Sequence, residues 1–377
     1  MLDKLMTPET RKLGDAFKAA GFEIRFVGGC VRDAILGVAA KDVDFCTNAM
    51  PEEMRRIAND NGFKFLPTGL DHGTATIVVK GEPFEVTTLR VDAETDGRHA
   101  TVVFTRSFEV DAERRDLTIN AMSMDFNGMI YDYFGGREDL KDKVVRFVGV
   151  PELRIQEDYL RILRYFRFAA RFDSTMDQET LDLFSVPETL DNLHKVSVER
   201  FWQELQKLLD PKMPARTRIV DAMFKTRVNR AVSLFRFNPS EVTRSDDAVT
   251  ALSTMVFANE VDNFFKFWKM SASEEKKVRW LINKRDAARD EQSVEMMLTI
   301  EAVPLDYVVS LMEVSGEPSL AEYARNFVVP TFPVTGKDLL AAGMTPGPAM
   351  GQRLGRMRNA WMYSRFTKSR EELMEVE

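Results

Sequence analysis

Two hydrophobic periods divide this chain. Up to about residue 148, apolar positions alternate with polar ones or gather in short runs rich in β-branched and aromatic residues; from Pro151 onward they recur at three and four, the helical period. In the first part, residues 1–21 read as an amphipathic helix closed by Gly21 in the C′ position, and residues 52–61 as a second helix entered through Pro51. Residues 72–79 and 82–89 read as strands joined by a hairpin at Lys80-Gly81, and residues 123–132 as a hairpin turning at Asn127-Gly128. Residues 90–99, RVDAETDGRH, have no hydrophobic period and are expected to be a mobile surface loop. Gly135-Gly136 is expected to hinge toward a new unit. In the second part, Ile162, Leu163, Phe166, Ala169 and Ala170 make one apolar stripe. Residues 196–209 form another amphipathic helix, with Ser197 as N-cap and Phe201, Trp202 and Leu205 packed inward. Residues 212–330 are helical by pattern: Phe264, Phe265, Phe267 and Trp268 are expected in a core, and Lys276-Lys277-Val278-Arg279 on a solvated face.

Composition narrows the class. A chain of 377 residues, 44% hydrophobic and 29% charged, is that of an ordinary soluble protein with more than one packed unit. No apolar run reaches the length of a membrane span, and the first residues do not read as a signal peptide. The two cysteines, Cys30 and Cys46, match no metal spacing, so a reduced, cytoplasmic protein is the simple reading. A net charge of −7 argues against a surface coated for nucleic acid, so any RNA contact needs a local basic stripe.

The candidate chemistry starts at Phe26-Val27-Gly28-Gly29. A glycine turn lets backbone approach a ligand, and Arg32 follows where a helix start and a guanidinium can both face phosphate. The segment Lys41-Asp42-Val43-Asp44-Phe45 alternates. As a strand it points Asp42 and Asp44 to one face and Val43 and Phe45 into the core. Two carboxylates beside a phosphate-friendly turn suit a pair of Mg²⁺ ions for nucleotidyl transfer; the same spacing, taken alone, suits a solvated strand face. Glu85 falls on a strand adjacent to the aspartates, where a third metal carboxylate and a surface glutamate are equally served. Arg114-Arg115 fits a charged helix end or a triphosphate clamp, and Asn120 can bond a ribose hydroxyl or a phosphate. Along the helix after Pro151, Asp158, Arg161 and Arg164 recur every third residue, with Arg167 continuing the flank, as i,i+3 ion pairs on a wet face also would.

These residues, in this order, resemble the signature of the DNA polymerase β-like nucleotidyltransferases, in the form of the class II tRNA nucleotidyltransferases (CCA-adding enzymes) and bacterial poly(A) polymerases. The pattern GG-x-VRD followed by D-x-D is met by Gly28, Gly29, Val31, Arg32, Asp33, Asp42 and Asp44; a Glu before Val-Thr-Thr by Glu85; RRD-x-T-x-N-A by residues 114–121; and ED-x-x-R-x-x-R by Glu157, Asp158, Arg161 and Arg164. The resemblance extends to the ER and EL-x-K elements of residues 199–207 and, more loosely, to TG-x-DL…PGP in residues 335–348. It implies an α/β nucleotidyltransferase palm followed by an all-α neck, body and tail, divided as 1–150, 151–210, 211–330 and 331–377. It implies a template-independent CTP(ATP):tRNA nucleotidyltransferase that adds or repairs the 3′-CCA of tRNA, with Mg²⁺ on Asp42 and Asp44. Gly28, Gly29, Arg32, Arg115 and Asn120 would bind the nucleotide, alongside Asp158, Arg161, Arg164 and Arg167. In such enzymes a loop at residues 90–99 helps switch from adding C to adding A, and Arg90, Asp96, Gly97, Arg98 and His99 read as its full-length form.

Base chemistry supports the assignment of Asp158 and Arg161. Cytosine and adenine each show a donor beside an acceptor on the pairing edge, complementary to a carboxylate beside a guanidinium; uracil and guanine would set a carbonyl against the carboxylate. Arg200 is placed to brace this helix. In the tail, Thr335 caps a helix, and Lys337, Arg353, Arg356 and Arg358 suit an RNA backbone; a helical hairpin that only packs the tail fits equally. Neither a membrane nor an obligatory protein partner is expected. The alternatives are a poly(A) polymerase, disfavoured because Phe65-Leu66-Pro67-Thr68-Gly69-Leu70 stands where that family carries an arginine-rich signature, and a non-catalytic RNA-binding relative.

Overall fold

A computed structural model describes residues 5–95, 100–287 and 289–376. The chain forms two compact units, residues 1–208 with 212–232, and residues 209–211 with 233–377.

The first unit is built on a seven-stranded sheet of order β3-β4-β5-β2-β1-β8-β9. The strands are β1 Ile24–Val27, β2 Asp44–Thr47, β3 Lys64–Gly69, β4 Thr74–Val79, β5 Glu82–Thr88, β8 Ser123–Met124 and β9 Ile130–Tyr131; β6 Arg90–Thr95 and β7 Ala100–Phe104 pair with each other alone. β2 is central, antiparallel to β1 and parallel to β5, and its residues Phe45, Cys46 and Thr47 are all buried. Helices α1 Pro8–Ala19, α2 Gly29–Leu36, α3 Pro51–Asp60, α4 Phe108–Glu113 and α5 Gly136–Lys141 are interleaved with the strands. Then come α6 Pro151–Glu157, α7 Leu160–Phe172, α8 Gln178–Phe184, α9 Pro187–Leu193, α10 Val198–Leu209 and α11 Arg216–Lys225.

Several sequence expectations are met directly. Gly21 closes α1 with φ 82°, Lys80-Gly81 turns the β4–β5 hairpin with φ 51° and 93°, and the turn before β9 has Gly128 at φ 84°. Others are corrected. The helix from residue 1 begins, among the described residues, at Pro8, where the Thr7 hydroxyl accepts from the Thr10 amide. Residues 90–95 are not an irregular loop but one strand of a ribbon, Arg90 facing Phe104 and Val91 facing Val103. Ladder hydrogen bonds need no apolar period on the polar strand, because the β-branched partner Thr101-Val102-Val103 supplies the β preference. Residues 96–99, with the full-length reading placed on Asp96, Gly97, Arg98 and His99, lie outside the described residues. Gly135-Gly136 is the start of α5, not a hinge: a Cβ on Gly136 would stand 2.3 Å from the Thr118 carbonyl oxygen, so the two segments are packed backbone to backbone.

Two aromatic clusters fix what the site rests on. Phe26, Phe45, Phe84 and Phe126 meet under the sheet, with centroids 4.7–6.1 Å apart. Tyr165 and Phe166 of α7 pack against Phe184 at 5.2 and 5.3 Å, and Phe147 stacks on Tyr165 at 5.5 Å. The expected stripe of Ile162, Leu163, Phe166, Ala169 and Ala170 is buried throughout, which turns the opposite, arginine-bearing side of α7 outward.

The second unit is helical: α12 Pro239–Arg244, α13 Ala248–Ser253, α14 Val261–Phe267, α15 Ala272–Lys284, α16 Glu291–Thr299, α17 Leu305–Ser315, α18 Pro318–Asn326, α19 Gly336–Ala341, α20 Pro348–Tyr363 and α21 Arg370–Met374. Phe264 and Trp268 are buried as expected, but Phe267 is 66% exposed because its side chain leaves the face they share. Lys277, expected on a wet face, is buried against Asp247 at 2.6 Å. Thr335 caps α19 as expected, bonding through both hydroxyl and amide to Asp338.

Candidate active site

The site grows from β1. Gly28 ends the strand with φ 71°, a left-handed turn that starts α2, and its amide donates to the Met122 carbonyl at 3.0 Å. The turn and the start of α2 line a cavity of about 620 Å³. The cavity is lined by Gly28, Gly29 and Arg32, by Asp44 and Glu85, by Arg114, Arg115, Asp116 and Asn120 from the segment after α4, by Asp158 from the α6–α7 junction, and by Arg161, Arg164, Arg167, Arg171 and Arg200 from α7 and α10. The structure thus gathers every candidate catalytic and nucleotide-binding residue except Asp42 around one cavity.

Asp44 and Glu85 are direct partners in the parallel β2–β5 register. Burial raises the Asp44 pKa, and repulsion from Glu85 and then Asp42 raises it further, with the Arg115 charge offsetting part. Asp42 sits apart: it is exposed on the bend before β2, not on the strand, and Val43 is only half-buried. Asp42 instead shares with Asp44 and Glu85 a second cavity, lined also by Lys41, Thr76 and Glu82. Among the described residues, no three His, Cys, Asp or Glu side chains close on a metal site by themselves. The mutual repulsion at Asp44 is nonetheless what a cation relieves, and Mg²⁺ is commonly held by one or two carboxylates together with water and substrate phosphate oxygens. The donor set fits such an ion.

The cations are individually held. Arg32, 4% exposed, bonds Asp33 through Nε at 2.9 Å and Asn120 through Nη1 at 2.5 Å, and lies 4.9 Å over the Phe168 ring. Desolvation lowers its pKa. Arg115 bonds Asp111 at 3.0 Å, while its buried Nε has no partner, so donor capacity remains for an anion. The alternative of i,i+3 ion pairs with Asp158 is not met among the described residues: most α7 arginines take partners distant in sequence. Arg164 bonds Asp116 at 2.6 Å, Arg167 pairs with Glu204 at 2.6 Å and Arg171 with Asp33 at 2.9 Å, while Arg161 pairs with Glu157 and bonds the Arg114 carbonyl at 3.0 Å. Asp158 interrupts the helical run with extended φ −156° between α6 and α7. It caps the Leu160 amide at 3.1 Å and accepts from Arg200 at 2.7 Å, the brace expected of Arg200. The side chains of Asp158 and Arg161 therefore share the cavity wall without pairing, although the Arg161 amide donates to the Asp158 carbonyl at 3.0 Å. Arg171 and the carboxylates Asp111 and Glu204 were not singled out from sequence. Arg171 and Glu204 have partners too distant in sequence to leave a spacing to read, whereas Asp111, three and four residues before Arg114 and Arg115, left an i,i+3/i,i+4 signal that could have found it.

Comparison with known proteins agrees with this geometry. The family profile described as "Poly A polymerase head domain" matches residues 24–146. A zebrafish protein (Danio rerio) named "CCA tRNA nucleotidyltransferase 1, mitochondrial" is 37% identical, over 99% of this chain and 91% of its own. A "CCA-adding enzyme" of Streptococcus gordonii is 33% identical, over 92% and 90%. The crystal structure of the Bacillus stearothermophilus CCA-adding enzyme in complex with CTP superposes with TM-score 0.78 at 27% identity, covering 98% of each chain. With the match sustained over nearly the full length of both partners, the chain belongs to the CCA tRNA nucleotidyltransferase family.

Proposed function

We propose that the chain adds or repairs the 3′-terminal CCA of tRNA, taking CTP and ATP as substrates and releasing pyrophosphate. The observation that carries this reading is the single cavity in which Asp44 and Glu85 face an array of arginines. In the proposed reaction the primer 3′-oxygen attacks the α-phosphorus of the nucleotide. The O3′–Pα bond forms as the bond from Pα to the pyrophosphate breaks, pyrophosphate takes the electron pair, and the hydroxyl proton passes to solvent.

The Gly28-Gly29 turn, where the missing side chains let phosphate approach the start of α2, holds the triphosphate together with Arg32 and Arg115. Asn120, oriented by Arg32, bonds the ribose or a phosphate. Asp158 accepts from the exocyclic amine of C or A while Arg161 donates to the neighbouring ring nitrogen; Arg164 and Arg167 complete the cationic wall. Enzymes of the family use a divalent metal, and the ion proposed is Mg²⁺. Held by Asp42 and Asp44 with Glu85 beside them, it would lower the pKa of the 3′-hydroxyl and balance charge on the departing pyrophosphate. We read residues 1–150 as the palm, 151–210 as the neck that selects the base, 211–330 as the body and 331–377 as a tail that grips the tRNA backbone. No described helix is long and apolar enough to cross a membrane. The proposed compartment is the cytoplasm, a reducing interior that keeps Cys30 and Cys46 as the free thiols observed; the zebrafish relative is named as mitochondrial.

The test is incubation with tRNA lacking its 3′-CCA, Mg²⁺, and CTP, ATP, both, UTP or GTP. Three residues added with CTP and ATP, then a stop, is the expected result. A long ladder with ATP alone would establish the poly(A) reading that the matched head-domain profile also allows, and no extension would leave an RNA-binding relative.

A further inference from the structure

Asp111 does not line the cavity, yet it bonds three residues that do, Arg90, Arg114 and Arg115. It lies on α4 and is 2% exposed. Its Oδ1 accepts from the backbone N–H of Arg90 at 3.2 Å and from Arg114 Nε at 2.9 Å, and its Oδ2 accepts from Arg115 at 3.0 Å. Arg90 is the first residue of the β6–β7 ribbon, which among the described residues has no ladder to the main sheet. The bonds that tie the root of that ribbon include the Leu89 amide to the Thr47 carbonyl at 2.9 Å, the Thr105 amide to the Leu89 carbonyl at 2.8 Å, the Arg90 amide to Asp111 and the Arg90 guanidinium to the His72 carbonyl. Burial alone would raise the Asp111 pKa, but the Arg115 and Arg114 charges outweigh it and hold the carboxylate ionised.

We infer that Asp111 is a positioning residue that couples occupancy of the triphosphate site at Arg115 to the root of the β6–β7 ribbon. The inference rests on the reading of Arg115 as a triphosphate ligand. One carboxylate offers about four lone-pair sites, shared here among two guanidiniums and one amide. Arg115 also stands beside Gly28, with Nη1 3.5 Å from where a Cβ on that residue would lie, so a triphosphate on the α2 amides meets the same guanidinium. As the phosphate oxygens draw on Arg115, the negative charge of Asp111 is left to Arg114 and to the Arg90 amide, and the bond at the ribbon root tightens. The bound nucleotide thereby stiffens a segment that it need not touch.

Hydrogen exchange on the full chain, with Mg²⁺ and without tRNA, tests this. With saturating CTP, amides in residues 90–95 and 100–104 are expected to slow about threefold or more, together with those of α2. CMP at saturation, lacking the β- and γ-phosphates, is expected to leave the ribbon unchanged. In Asp111→Asn, saturating CTP is expected to slow α2 but not the ribbon, with Asp111→Glu restoring part of the effect. Equal ribbon protection by CMP and CTP would overturn the coupling, and this arm stands even where Asp111→Asn does not fold. So would full CTP-dependent ribbon protection in Asp111→Asn, or protection of α2 without the ribbon in the native chain. Absence of protection at α2 as well would instead strike down the nucleotide site itself.

Discussion

At Asp44, burial and the neighbouring carboxylates place a raised pKa where a metal-dependent reaction needs an ionised group. The sign of the consequences is fixed. Only the carboxylate form binds a cation, so transfer should fall on the acid side at a pH above the ordinary aspartate range. For stability, a native pKa above the unfolded value means that the folded chain takes up the proton more readily. Asp44 therefore destabilises the metal-free fold at neutral pH, and that penalty fades as pH falls through the raised value. Asp44→Asn should cut transfer by about a hundredfold or more yet raise the neutral Tm of the metal-free protein, and the Tm gap to the native chain should close on acidification. A lower Tm for the variant at neutral pH would show that Asp44 is not under repulsion. Asp111 and Asp116 run the other way, because their cationic partners overcome burial and lower both pKa values. Their stabilisation is complete above the ordinary aspartate pKa and is lost as pH falls through the lowered native values. Alternation along residues 41–45 makes Asp42 and Asp44 look equivalent; the chain breaks that equivalence by starting β2 only at Asp44, so a strict strand period was one residue pair too long.

The elements show which part of this was open to reading from sequence. Local signals carried through: the apolar stripe of α7, the Lys80-Gly81 turn and the Thr335 cap each depend on residues within a few positions, and each is where the spacing put it. The ribbon and the arginine partners were not legible. A polar strand is recognisable only with its ladder partner, and Arg164 finds Asp116 across 48 residues, Arg171 finds Asp33 across 138. The difference matters energetically. Asp116 accepts from the Leu117 amide at 2.8 Å and from Asn120 at 3.2 Å as well as from Arg164. Asp116→Ala should cost about 2–3 kcal/mol by urea unfolding, below the full cost of breaking a buried pair because Arg164 is partly solvated. Losing both Glu138 and Lys141, an exposed pair 3.8 Å apart on α5, should cost roughly 0–1 kcal/mol. Similar losses for the two would mean that the cavity wall is held by packing alone. The α7 stripe tests the packing directly: Phe166→Ala should cost about 3–5 kcal/mol, read from the same unfolding curves.

Over the whole chain, 59 acidic residues outnumber 52 basic ones, so the long-range field opposes a polyanion. Much of the basic charge is also committed to ion pairs, as the arginines of α7 show. Attraction for a tRNA backbone must come from exposed, local cations. The tail offers them unevenly. Arg353 donates to the Met374 and Val376 carbonyls at 2.8 and 3.2 Å and so ties down the end of the chain, whereas Lys337 and Arg358 are exposed, the latter 5.2 Å over the Phe332 ring. Each phosphate contact releases counterions and adds a fixed increment to the slope of log affinity against log salt. Replacing Lys337 and Arg358 together by Ala should therefore shallow that slope for tRNA by about two and weaken binding alike across tRNA sequences, while leaving CTP affinity in the first unit unchanged. Asp44→Asn, which removes a carboxylate and no phosphate contact, should leave the slope as it is. Filter binding or fluorescence anisotropy across a salt series reads both. An unchanged slope in the Lys337, Arg358 double variant would move the RNA grip away from the α19–α20 hairpin and leave that element a packing motif only.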